Sequence, residues 1–254
     1  MSQEEWVTGK IGLRINDAPV EFELTVPATP VKPQRMLPIF QAMANSFVEV
    51  GVNVAEAEGR SVSCKAGCGA CCRQPVPISE VEVYQIAELV EAMDEPRRSE
   101  VLQRFQDAAE HFHKIGWYER FEEHQKKAPE MTFDEGYPEG MKLVMEYFNE
   151  GIPCPFLENE SCSIHQQRPV ACREYLVTSP SDNCSRPSAE GVRMVELPAK
   201  PSRGLTKLVS SFGGQLVGFP VLSRALELAQ ENPEDFRSRS GPEWIKEFLD
   251  KLVV

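Results

Sequence analysis

Eight cysteines fall in two blocks of the chain and nowhere else. Cys64, Cys68, Cys71 and Cys72 lie within nine residues, and Cys154, Cys162, Cys172 and Cys184 make up the second block. A thiolate is the softest ligand a side chain offers, so thiols gathered this way point to a metal centre before anything else. A disulfide framework suits small secreted chains that cannot build a core, whereas 254 residues can bury a sizeable one. Neighbouring Cys71 and Cys72 would also make a cramped bond. Disulfides are therefore set aside.

The rest of the chain reads as mainly α. Lys10–Ile15 and Val20–Val26 alternate with period two on either side of Asn16-Asp-Ala-Pro19, which predicts an N-terminal β-hairpin. Apolar residues at Phe40, Met43, Phe47, Val50 and Val54 predict a helix from Met36 to about Glu58. Ser79-Glu-Val-Glu82 is a capping-box pattern that opens a helix through about Met93. Glu95–His113 is a third helix, Tyr118–Glu135 is polar and gives no clear element, and Glu139–Asn149 is a short helix. The second cysteine block is irregular, with Pro153, Pro155 and Pro169. Gly191–Leu197 follows as a candidate strand, and Arg203–Ser211, Val221–Gln230 and Pro242–Leu252 as helices. The expected architecture is a single irregular α-rich domain with a loop-built cysteine site. Within it, residues 1–58 supply the hairpin and lead-in helix, 59–186 the metal-binding part, and 187–254 a helical extension packed on it.

Composition removes several classes of function. The net charge of −12 argues against nucleic acid, which is bound through clustered Lys and Arg. No apolar run approaches the ~18–20 residues that a membrane helix needs. Met1–Trp6 lacks the positive and apolar regions of a secretory signal, so the expected compartment is the cytoplasm, where thiols stay reduced. No phosphate-binding loop, dinucleotide fingerprint, nucleophile elbow or HExxH pattern is present.

Charge is distributed unevenly around the cysteines. Arg60–Ser79 holds no acidic residue but contains Arg60, Lys65 and Arg73. Ser161–Arg173 is likewise free of Asp and Glu and contains Arg168 and Arg173. Four thiolates on a dication leave a net negative charge, and cations beside them would offset it and lower the thiol pKa values. Arg73 is placed beside the centre on this ground.

Spacing leaves the metal open. Cys64-x3-Cys68 and Cys68-x2-Cys71 suit structural zinc. Three close cysteines with a remote fourth suit an iron–sulfur cluster, and the prolines flanking Cys154 tilt the reading that way. Eight ligands serve two sites of four, or one site with spare thiols; more than one metal atom is favoured, because unliganded thiols are prone to oxidation. His165, three residues after Cys162, is at most a borderline ligand. His111 and His113, two apart on a helix, point away from each other, and His124 stands alone.

These residues match a known pattern. Cys64-x3-Cys68-x2-Cys71-Cys72, then Cys154-Pro-Phe-Leu157, Cys162-Ser-Ile164, Arg168-Pro169 and Cys172-Arg-Glu-Tyr175, resembles the CxxxCxxCC family of zinc- or iron-chelating, YkgJ-type cysteine cluster proteins. The resemblance covers roughly residues 60 to 185 and departs at His165, where the family often carries Tyr. It implies a metal centre built from most of the eight cysteines, with Arg168, Arg173 and Tyr175 framing it. Flagellin lysine N-methylases carry a related cluster, but no methyl-donor site is recognisable here. The expectation is a metal-binding protein with an iron–sulfur centre in a redox, sensing or catalytic role. The alternatives are a zinc-stabilised interaction module and a metal-dependent modifying enzyme; the protein partner or substrate is left undefined.

Overall fold

The computed structural model describes residues 5–15, 18–188, 190–208 and 218–252. Along the chain run β1 (Trp6–Ile15), β2 (Ala18–Pro27), α1 (Leu37–Ala57), α2 (Glu80–Glu91), α3 (Arg97–Lys114), α4 (Trp117–Lys127) and α5 (Phe133–Asn149). They are followed by β3 (Leu157–Glu158), β4 (Ser161–Cys162), α6 (Val170–Glu174), α7 (Pro201–Thr206), α8 (Ala225–Glu231) and α9 (Gly241–Leu252). The fold is mainly α with a small N-terminal hairpin. Among the described residues, no helix is long and apolar enough to cross a membrane. The chain gathers into two compact units: residues 1–68, 165–209 and 235–254 in the first, 69–164 and 210–234 in the second.

In the first unit, β1 and β2 pair antiparallel from Trp6↔Pro27 to Ile15↔Ala18. The connecting residues 16–17 lie outside the described ones. Period-two alternation turns Phe22 and Val26 inward, where Phe22 meets Phe47 of α1 with ring centroids 5.5 Å apart. Two turns earlier on the same face, α1 meets α9 through Phe40 and Phe248, 4.6 Å apart, and Trp244 of α9 donates from Nε1 to the Val31 carbonyl at 2.9 Å. The buried stripe of α1 departs from the expected one at its C-terminal end. Val54 is exposed, and the stripe runs instead through Gly51 and Ala55. Small residues there admit the segment Val195–Leu197: a Cβ on Gly51 would lie 2.6 Å from the Glu196 carbonyl oxygen and 2.8 Å from Leu197 Cδ2. Gly51→Ala is expected to destabilise the protein by about 1–3 kcal/mol in urea denaturation, because backbone cannot yield as a side-chain tip does.

That same segment corrects the expected strand over Gly191–Leu197. It makes only a bridge, Val177↔Met194, flanked by Thr178 N–H to Arg193 O and Val195 N–H to Leu176 O. Its partner is a few residues caught between the end of α6 and Pro180, too short for a ladder. The helix expected over Arg203–Ser211 is α7; residues 209–211 fall outside the described ones.

The second unit is a packing of α2–α5 with α8. Ser79 and Glu82 form the expected capping box of α2: the Ser79 N–H and hydroxyl donate to Glu82 Oε2, and the Glu82 N–H returns to Ser79 Oγ. α4, which the sequence reading left unassigned, is a helix whose buried side is Trp117, Tyr118, Phe121 and Gln125. α5 begins earlier than expected, at a Thr132–Glu135 cap, and runs through Pro138. The core between them is aromatic. Phe112 stacks on Tyr147 at 3.9 Å and 6°, Trp117 on Phe121 at 4.6 Å and 17°, and Trp117 Nε1 donates to the Leu143 carbonyl.

Beside this core, His113 is held between carboxylates on two helices, Nδ1 at 3.1 Å from Glu119 of α4 and Nε2 at 2.9 Å from Glu227 of α8. Both ring nitrogens facing acceptors requires the doubly protonated ring. Burial opposes its charging, but Glu119 and Glu227 outweigh burial and nearby Arg224, so its pKa is raised. The contribution of this bridge is full below the ordinary histidine value of about 6.5 and is lost as pH rises through the raised folded value. A small fall in stability as pH rises above about 6.5 is expected, absent in His113→Gln, and denaturation midpoints across pH check it. It is small because the ring is partly solvated.

Candidate metal centre

The second unit brings four of the eight cysteines into one neighbourhood: Cys71, Cys72, Cys154 and Cys162. Residues Ala70–Arg73 form one tight turn, with Cys72 N–H on Gly69 O at 3.0 Å. The second block is tied directly to it, since Cys154 donates its N–H to the Cys72 carbonyl at 2.7 Å. From there the chain turns (Leu157 N–H to Cys154 O, 2.8 Å) into the short β3–β4 hairpin, where Leu157 pairs with Cys162. The hairpin turn, Asn159-Glu160, is left-handed at both residues, φ 49° and 57°.

Three side chains from outside anchor this loop. Phe156 is buried edge-on against Phe105 of α3 at 5.4 Å. Arg97 and Arg104 of the same helix donate to the Ser163 and Pro155 carbonyls and stand 3.6 and 3.7 Å from Glu158. Neither arginine nor Glu158 stood out in the sequence, because the contacts join residues 51 and 66 positions apart.

Cys154 is half-buried as a residue, but its thiol is enclosed. Burial, and after it the proximity of Cys162 and Cys71, push this thiol up to about 12, against the Phe156 N–H that would favour the thiolate. A cation that binds there must displace the proton, as metal coordination of a thiol does.

Arg73 stands close enough to Cys72 to interact with its thiol, and it is also committed to an acidic partner. Its guanidinium is bidentate on Glu160, Nη1 to Oε2 at 3.0 Å and Nη2 to Oε1 at 2.7 Å, and Nη1 also donates to Gly69 O. Glu158 and Glu160 lie just outside the stretch that is free of acid in sequence, and folding returns their charge to it.

The first unit holds the other four. Ser63 N–H donates to Val177 O at 3.0 Å, and the Val177 N–H donates back to Cys64 Sγ at 3.4 Å. A backbone N–H on sulfur favours the thiolate. Cys68 closes a turn onto Lys65 O, with Gly67 at φ 82°. Cys172 lies on α6, and Cys184 is buried in the turn Ser181–Ser185. Arg173, next to Cys172 in the chain, is buried and donates to the carbonyls of Arg168 (3.2 Å) and Gln166 and to Asn45 Oδ1 (3.2 Å). Arg168 donates to His165 Nε2 at 2.6 Å and to its carbonyl at 2.9 Å. Burial, with Arg168 and Arg173, pushes the His165 pKa down, so its ring is neutral with Nε2 engaged. Tyr175 is half-buried at the end of α6.

None of the eight cysteines is joined in a disulfide. Among the described residues, no three His, Cys, Asp or Glu side chains stand around a common point as a finished ion-holding group. In its chemistry the donor set fits a thiophilic metal: an enclosed thiol beside two others, and a sulfur already receiving a backbone N–H.

Residues 63–189 match the family model CxxCxxCC, described as "Putative zinc- or iron-chelating domain". The chain belongs to this family. The CxxCxxCC segment contains all eight cysteines together with Arg73, Glu160, Arg168, Arg173 and Tyr175, while the β1–β2 hairpin and α9 lie outside it. Within it the first cysteine interval here is three residues, Cys64 to Cys68. No curated protein and no solved structure matches the chain.

Proposed function

We propose that this protein carries iron in thiolate-ligated iron–sulfur form and uses it in redox chemistry. The ligands are the eight cysteines in two groups of four, one in each unit. The observation that carries this reading is the enclosed Cys154 thiol with Cys162 and Cys71 beside it. A core does not gather two further thiols beside an enclosed one for packing alone; a bound cation turns their mutual repulsion into attraction. Iron is favoured over a structural ion because each unit has its own apolar core, Phe40, Phe47 and Phe248 in one and Phe112, Trp117 and Tyr147 in the other. Domains that depend on zinc to fold are those lacking such a core. Eight thiols held without disulfides suit a reducing compartment such as the cytoplasm.

A second reading, zinc, is supported by the C-x3-C and C-x2-C spacings of the first block. Anaerobic purification followed by iron, zinc and acid-labile sulfide determination separates the two. Iron and sulfide in comparable amounts, with broad visible absorption, is the expected result. Stoichiometric zinc in a colourless, sulfide-free protein would replace it with the second reading, and a protein that takes up neither metal would end both.

A further inference from the structure

We infer that Glu160 and Arg73 form a clasp that positions the Cys71–Cys72 turn against the Cys154–Cys162 loop and sets how long the metal is retained. The inference rests on the thiolate-metal reading above, and it starts from a residue in the wrong place by local rules. Both residues of a two-residue hairpin turn with φ above zero favour Asn-Gly, because glycine enters that region without a Cβ clash. Here the pair is Asn159-Glu160, with Glu160 at φ 57°. A non-glycine residue held in that region is one the surrounding contacts insist upon.

The side chain supplies the reason. Glycine at 160 would make the turn but could reach nothing. Glutamate reaches back across the hairpin to the first cysteine block, where both carboxylate oxygens accept from Arg73 at 3.0 and 2.7 Å and the Gly69 amide donates to the same carboxylate. Arg73 closes the ring by donating to the Gly69 carbonyl at 3.0 Å.

Gly69 completes the fit from the other side. A Cβ there would lie 2.6 Å from Glu160 Oε2 and 2.8 Å from Leu157 Cδ1, so the bare backbone leaves room for both side-chain ends where they now sit. Leu157 is the ladder partner of Cys162, and Gly69 O is the acceptor for Cys72 N–H. One carboxylate, one guanidinium and one bare backbone position thus join the turn bearing Cys71 and Cys72 to the strand pair bearing Cys162.

The pair is half exposed, and exposed ion pairs add little to global stability. Its effect belongs in ligand placement. Groups that orient metal ligands typically change affinity about 10–100-fold when removed, with the ligands themselves intact.

Cobalt(II) is a suitable probe, since its thiolate charge-transfer absorption reports sulfur ligation without any activity assay. The full chain is loaded anaerobically and challenged with excess EDTA. Glu160→Ala is expected to release cobalt about 10–100-fold faster than the parent, with an unchanged melting midpoint for the metal-free protein. Glu160→Gln, which keeps an acceptor for the Gly69 amide, falls between. Glu123→Ala, which breaks the exposed Glu123–Lys127 pair of the same unit, releases at the parent's rate. Parent-like release from Glu160→Ala, or from Glu160→Gln should the alanine variant not fold, overturns the clasp and leaves the metal reading standing. A parent chain that never develops the thiolate–cobalt band removes the metal reading itself, and the clasp with it.

Discussion

Cys154→Ser is expected to lose the metal of the second unit and, with it, the stabilisation that metal confers. Serine preserves the size of the side chain but replaces a soft, ionisable sulfur with a hard hydroxyl that a thiophilic ion does not deprotonate. The position is unforgiving, because burial holds the Cys154 thiol in its neutral form and its backbone N–H is committed to the Cys72 carbonyl at 2.7 Å. Metal content per chain should fall by at least half. The denaturation midpoint of the parent should rise when cobalt is added at about a hundred times its Kd, a gain of about 2.7 kcal/mol, and this rise should shrink sharply in the variant. Cys184→Ser strikes the other group and should leave the ligands of the second unit in place. Parent-like metal content in Cys154→Ser would remove this thiol from the ligand set.

Where local signals agree with the final packing, the chain was legible. α2 announced itself through Ser79 and Glu82, whose side chains close the cap they predict. α1 and α3 showed their apolar stripes. The misreadings have identifiable causes. α4 carries seven charged or amide side chains among its eleven residues, and its buried side combines Trp117, Tyr118 and Phe121 with the polar Gln125; with so few apolar residues the period is drowned by the solvated face. The start of α5 was hidden behind Gly136 and Pro138, which read as breakers, although Thr132-Phe-Asp-Glu135 is a capping pattern that outweighs them. β3 and β4 are two residues each, below the length at which alternation can be recognised.

The candidate centre divides in the same way. Its candidate ligands stood out because cysteine is rare and its spacing is chemical. Its supports were not, because they are long-range pairings of common residues. Arg73 and Glu160 are 87 positions apart, and nothing local marks either as the other's partner. In three dimensions Glu160 pairs with Arg73 of the first basic stretch, and Arg97 and Arg104 stand by Glu158. Arg173 was expected to frame the centre, and its guanidinium donates to the Arg168 and Gln166 carbonyls and to Asn45, bonds that also shape the turn before α6.

Trp117→Ala should produce the largest loss of stability among single substitutions in the second unit, about 3–5 kcal/mol. Its indole is fully buried, stacks on Phe121 at 4.6 Å and meets Tyr147 edge-on at 4.8 Å, so alanine leaves a cavity walled by rigid rings that collapse poorly. The hydrogen bond from Nε1 to the Leu143 carbonyl is a smaller part, about 1 kcal/mol, and Trp117→Phe isolates it by keeping most of the ring contacts. Urea denaturation followed by circular dichroism should therefore rank the parent above Trp117→Phe and Trp117→Phe well above Trp117→Ala. Equal losses in the two variants would mean that the hydrogen bond, not the packing, holds α4 to α5. The consequence reaches the thiols, because Tyr147 sits two residues before the end of α5 and the chain arrives at Cys154 five residues beyond that end. A loosened aromatic core should let the Cys154 loop wander, and cobalt should leave Trp117→Ala faster than it leaves Trp117→Phe even at temperatures where both remain folded.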